Sequence, residues 1–199
     1  IPAAPLPIIQ FDYTSYPSFV QVSRGGTFAL AGVTGSLNKI FKIDLATDTA
    51  VPYFDSLFNF DLTFIDDNHI YLSSNPGGFN PSVPNLLEWV ELGANPTFRT
   101  IAEIPNTPSG PVIVNDQGDL FYIQQTYQFP APPLSSTLFK FSAASLASAL
   151  TSGVPLTAAD AAASTPIEGG ADIAYRRLAP APGELFVSTL GPKVLRVAE

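Results

Sequence analysis

"KIFKIDLATDTAVPYF", residues 39–54, contains a strand pattern, a polar turn and a second strand pattern. In its first half Ile40, Lys42 and Asp44 fall on one face, and Phe41, Ile43 and Leu45 on the other. A period of two marks a β-strand rather than a helix. Asp44 and Asp48 flank the reversal as turn formers. The chain repeats this arrangement at residues 86–104, "LLEWVELGANPTFRTIAEI", and in part at residues 137–143, "TLFKFSA". Repetition on this scale is the mark of a repeat architecture.

Four segments share one order of parts. An apolar strand comes first, in "PSFVQVSRGG", "FDLTFIDDN", "GPVIVNDQGD" and "ADIAYRRLAPAPGE". A second apolar strand follows at once, in "TFALAGV", "HIYLSSN", "LFYIQQT" and "LFVSTL". The reversals between them carry Gly25-Gly26, Asp67-Asn68, Gln117-Gly118 and Pro182-Gly183, all suited to tight hairpins. After a loop of variable length comes a third strand: "KIFKIDL", "LLEWVEL", "TLFKFSA" or "KVLRVAE". A fourth strand follows in the first two units, at "TAVPYF" and "FRTIAEI". In the third unit "SAASLASALTSG" reads as a short helix and "ASTPIE" as the returning strand.

The period, the alternation and the order of parts predict an all-β chain folded as a β-propeller with four four-stranded blades. The blades fall at about 17–54, 58–104, 109–167 and 170–199, in a single domain spanning 1–199. The fourth unit shows three strands, while "PLPIIQF" at residues 5–11 is a spare one. Pro7, Ile8, Ile9 and Phe11 are therefore expected to complete the last blade, because a closed ring leaves only short, protected sheet edges. Two other arrangements use the same strand: self-association of two chains into an eight-bladed ring, and a polymer in which the strand completes a neighbour's blade.

Composition narrows the partners. The chain is 46% hydrophobic and 13% charged, which is the balance of a folded domain rather than a disordered one. Its net charge of −8, with the cations scattered singly, argues against nucleic acid and against an anionic membrane surface. No apolar run approaches the ~18 residues of a membrane span. There is no cysteine, so thiol chemistry is excluded. "IPAAPLP" resembles the exposed end of a processed chain, so a secreted or periplasmic location is expected.

"FDLTFIDDNHIYLSSN" and "ADIAYRRLAPAPGELFVST" resemble the repeat of NHL-type and SMP-30/gluconolactonase-like propellers, an aspartate-led inner strand followed by "G-x-[LI]-[FY]-V-[ST]". "SGPVIVNDQGDLFYI" looks like that family's "E-G-P" opening, with Ser109 in place of the acid. The resemblance implies a propeller. It also implies, for the hydrolases of the family, a divalent cation such as Ca²⁺ in the central channel. Carried over by position, Asp61 and Asp172 match the ligands, while Asn59 and Glu168 are offset and Ser18 stands in the first unit. Two carboxylates fall short of the ~6–8 oxygens calcium takes, and backbone N–H groups are the alternative partners for both. If the two approach each other without a cation, one carboxyl should have a raised pKa.

Other catalytic signals are weak. His69, the single histidine, sits at a hairpin turn, and no G-x-S-x-G accompanies it. "DDNH" and "NDQGD" lack calcium-loop spacing. Trp89 is expected to pack between blades. The loops at 75–85, "NPGGFNPSVPN", and 125–136, "TYQFPAPPLSS" with its preceding Gln125, are rich in proline and carry Phe79, Tyr127 and Phe129. Loops on a propeller rim carry function, and proline lowers the ordering cost of binding. The expected function is thus an exported module that binds a protein or glycan through these loops, or binds itself, with no cofactor. The runners-up are a metal-dependent hydrolase or lactonase and a structural subunit joined by its N-terminal strand.

Overall fold

The computed structural model describes residues 14–107, 110–125, 136–178, 181–190 and 192–197. Among the described residues fifteen strands form four antiparallel sheets arranged as a four-bladed β-propeller. Blade 1 is β1 (Ser15–Val22), β2 (Phe28–Gly35), β3 (Lys39–Asp44) and β4 (Thr49–Asp55), from axis to periphery. Blade 2 is β5 (Phe58–Phe64), β6 (His69–Asn75), β7 (Asn85–Glu91) and β8 (Thr97–Ile104). Blade 3 is β9 (Val112–Val114), β10 (Leu120–Gln125), β11 (Ser136–Phe141) and β12 (Ala163–Ile167). Blade 4 has three strands among the described residues, β13 (Gly170–Leu178), β14 (Ala181–Thr189) and β15 (Val194–Val197). The expected closing strand at residues 5–11, with Pro7, Ile8, Ile9 and Phe11, lies outside the described residues.

Each middle strand is apolar on both faces because blades pack on both sides. On β6, Ile70 and Leu72 join Leu30, Ile40 and Phe54 of blade 1 in one core. Tyr71 points the other way, into a core shared with Leu120 and Tyr122 of blade 3. On β10 the alternate residues Phe121 and Ile123 turn to blade 4 and meet Ile173, Leu185 and Val187. This two-sided burial explains why the second strands read as continuous apolar runs. Fully burying one such side chain is worth about 1.5–3 kcal/mol, so these three seams dominate the stability of the ring.

The fourth seam differs. Among the described residues no apolar cluster joins blade 4 to blade 1. The far face of blade 1 holds its own small cluster of Ala29, Ala31 and Ile43. Beside it Val20 and Val22, opposite Ala31 and Ala29, are 62% and 54% exposed. On blade 4, Val194 is 70% exposed.

The "SAASLASALTSG" segment forms α1 (Ala143–Ser152), between β11 and β12. Ser142 caps it by accepting the Ser145 N–H at 3.1 Å, and Gly153 ends it at φ +71°. Leu146 and Ala149 pack it onto the core of blades 2 and 3. Of the hairpin reversals, Gly26 and Gly118 take positive φ, whereas Asp67-Asn68 is held by Asp66 Oδ1 accepting the Asn68 N–H at 2.7 Å. Among the described residues no helix is long and apolar enough to cross a membrane.

If residues 5–11 pair with the outer edge of β15, deleting residues 1–11 should cost about 3 kcal/mol of burial and lower Tm by roughly 6–12 °C. Light scattering should show the same mass before and after deletion. An unchanged Tm rejects the pairing, and a loss of higher-mass species on deletion points to strand exchange between chains.

Candidate functional site

The innermost strands are sheet edges, so their axis-side amides lack a partner strand. β1, β5 and β13 each carry one extra residue near the start of the channel: Ser18, Phe60 and Ala171 interrupt the pairing registers. Such bulges bend a strand and re-aim the next side chain. In β5 and β13 that next residue is an aspartate, Asp61 or Asp172. Both line one cavity of about 420 Å³ at the mouth of the channel, together with Phe60, Gln21 and Gln125. Among the described residues no lysine, arginine or histidine lines it.

The two aspartates are built alike and serve differently. Asp61 Oδ1 accepts the Leu62 N–H at 2.8 Å, and Asp172 Oδ1 accepts the Ile173 N–H at 2.8 Å. Asp61 also reaches across to blade 3, where its Oδ2 accepts the Val112 N–H at 2.8 Å. Asp61 is buried and Asp172 is exposed. Burial pushes the Asp61 carboxyl up to about 7. The Val112 N–H pulls it back down, the Asp172 charge raises it, and the Leu62 N–H and Gln21 side chain lower it.

The resident calcium that the family resemblance implies does not fit these residues. Asp61 spends both oxygens on backbone donors, and Asp172 spends one. Asn59, the offset neighbour, is fully buried. Its Oδ1 accepts the Ser18 hydroxyl, and its amide donates to Val33 O at 2.8 Å, tying blade 1 to blade 2. Glu168 pairs with Lys193 at 2.7 Å. Among the described residues no three His, Cys, Asp or Glu side chains form a group able to hold an ion.

An aromatic cluster adjoins the same mouth. Phe79 packs edge-on against Phe58 at 4.8 Å and Phe60 at 5.7 Å, and Phe58 meets Phe60 at 5.2 Å. Phe60 therefore belongs to both the cluster and the cavity. Phe79 remains 62% exposed. Its loop is pinned at both ends by Asn75, whose Oδ1 accepts the Gly77 N–H at 2.7 Å and whose amide donates to Val83 O at 3.0 Å. Gly78 takes φ +64° beside the Phe58 ring. Tyr127 and Phe129 lie outside the described residues.

His69 is on the opposite rim. It contacts Asp66 at 2.9 Å and stacks on Trp89 at 5.1 Å, so it stands apart from the aspartates. Trp89 packs against the core between blades 2 and 3. Sequence reasoning missed Phe58 and Phe60 as partners of Phe79. Their i, i+2 spacing in "FNF" was the available signal, since it puts two rings on one face unless a bulge intervenes.

No protein-family model matches the chain, and no curated protein matches it. Solved structures do. Kuenenia stuttgartiensis hydrazine synthase superposes with a TM-score of 0.50 at 11% identity, over 91% of this chain and 53% of that one. A chain of a mitotic checkpoint complex superposes with a TM-score of 0.51 at 12% identity, over 93% of this chain and 61% of that one. The chain thus spans between half and two thirds of those it resembles. At such identities the likeness supports the propeller fold.

The raised Asp61 carboxyl fixes a sign. The folded protein holds that proton more tightly than the unfolded chain, so the contribution is complete below about pH 4 and is lost as pH rises through about 7. Glu88, buried and hydrogen-bonded by Ser74 at 2.5 Å, is also raised by burial and acts in the same direction. Asp61→Asn should flatten the fall in Tm between pH 4 and 8, leaving a residual slope from Glu88. Parallel wild-type and variant profiles would show that Asp61 titrates normally.

Proposed function

We propose that this propeller is a protein-binding module whose contact surface is the rim around the channel mouth. Residues 75–85 form one side of it, and the proline-rich segment 125–136, with Tyr127 and Phe129, is proposed as a second contact segment. The observation that carries this reading is Phe79, a large aromatic left exposed on a loop that is already hydrogen-bonded into shape. Aromatic anchors supply much of the binding energy at protein interfaces, and a preformed loop avoids part of the ordering cost. The underlying Phe58 and Phe60 extend the apolar patch. The wider fold is compatible with this role, since a structure of the same fold occurs in a chain of a mitotic checkpoint complex.

The departures from the NHL and SMP-30-like repeat favour binding over hydrolysis here. Ser109 stands where that family has an acid. Asp61, the better placed of the two matching aspartates, is committed to joining blades 2 and 3.

Selection from a phage-displayed random peptide library tests the reading. The wild-type protein should enrich a recurrent peptide family, and Phe79→Ala should weaken its binding about 10–100-fold. Because the side chain is exposed, the variant's Tm should stay within about 2 °C of wild type. Failure to enrich any family, or equal binding by the variant, rejects the rim as the contact surface.

A further inference from the structure

Resting on that reading, we infer that the channel mouth seats a cationic side chain, a lysine or arginine of the bound segment, next to an apolar residue that lies on Phe79. Three observations converge on this chemistry. First, the cavity and the aromatic patch are continuous through Phe60, so one short segment reaches both. Second, among the described residues the charged groups lining the cavity are Asp61 and Asp172, with no basic side chain to neutralise them. Third, the cavity's volume of about 420 Å³ accommodates a flexible alkyl stem, and its wall includes Phe19 and Phe60. Aromatic rings beside carboxylates suit an ammonium or guanidinium group, which gains from both the ring face and the negative charge.

The two carboxylates divide the work. Asp61 is buried and held by backbone donors, so its oxygens are fixed in the cavity wall and carry charge only as pH rises through about 7. Asp172 is exposed, and among the described residues its Oδ2 accepts no hydrogen bond, so it is the group that meets the incoming cation. The charge of Asp172 already disfavours ionisation of Asp61, and an entering cation relieves that repulsion. A neutral sugar would gain nothing from this pair of charges, which separates a peptide partner from a glycan.

Two-dimensional amide NMR of the full chain tests the inference with two probes, N-acetyl-Phe-Lys-amide and N-acetyl-Phe-norleucine-amide. The amides of Leu62, Val112 and Ile173 report on the aspartates, and those of Gly77, Gly78 and Asn80 report on the rim loop. Both probes should shift the rim amides. The lysine probe alone should shift the aspartate-bound amides, with an affinity at least 10-fold higher. Asp172→Asn should erase the difference between probes while leaving the rim shifts in place.

If both probes act on the rim alone and with equal affinity, the cationic seat is overturned and the rim reading stands. If neither shifts the rim amides, the rim reading falls too. Equal shifts of the aspartate-bound amides by both probes would show that the mouth takes apolar chains without regard to charge.

Discussion

The inner edge of β9 sets the terms for this propeller. The strand is three residues long, and the N–H groups of Val112 and Val114 point away from its only partner, β10, towards blade 2. Left bare at the axis, each would be a buried donor without an acceptor, costing about 1–3 kcal/mol. Blade 2 supplies the acceptors from β5: Asp61 Oδ2 takes Val112 at 2.8 Å, and Thr63 Oγ1 takes Val114 at 3.3 Å. Side chains thus stand in for the missing strand. The same act that joins the blades places a carboxylate in the wall of the channel mouth, so architecture and electrostatics share one residue.

Similar ties recur at the far rim, where the hairpin turn of one blade grips the next. Arg24 of blade 1 donates from Nε and Nη2 to Phe64 O of blade 2 at 2.9 and 2.8 Å, and Gly25 N–H donates to Asp67 at 2.7 Å. Between blades 3 and 4, Asp116 accepts from Tyr175 at 3.3 Å and pairs with Arg177 at 3.1 Å. These contacts are partly solvated, and each is worth about 1 kcal/mol or less. They set the rotation of one blade against the next, while the apolar seams supply the bulk of the energy.

The blades were legible because alternation and turn chemistry are local properties. "HIYLSSN" and "LFYIQQ" are apolar on both faces, and Gly26 and Gly118 mark reversals that need positive φ. Even the helix after β11 was readable from its Ala/Ser/Leu run and Gly153. The convergence of Asp61 and Asp172 on one mouth follows once the repeat is aligned. Their difference in burial does not, because it depends on Val112, 51 residues further along the chain. The bulges at Ser18, Phe60 and Ala171 were equally hidden, since an extra residue leaves no compositional trace. Asn59 looked like a stray oxygen ligand, and only the neighbouring Val33 carbonyl and Ser18 hydroxyl reveal it as a staple between blades.

Among the described residues three seams have shared cores and one has none, which makes the circle uneven. Ala29, Ala31 and Ile43 close over themselves on blade 1, and Val20, Val22 and Val194 face solvent where another seam would bury them. Compliance in a ring gathers at its least adhesive joint, so breathing motions should widen or narrow the bore at the joint between blades 4 and 1, while the cored seams hold blades 1 to 4 together as one open arc. Asp172 lies on β13, beside that joint, and Asp61 on β5, two blades away. A change in the width of that joint should therefore alter the spacing of the two carboxyls with no rearrangement inside any blade.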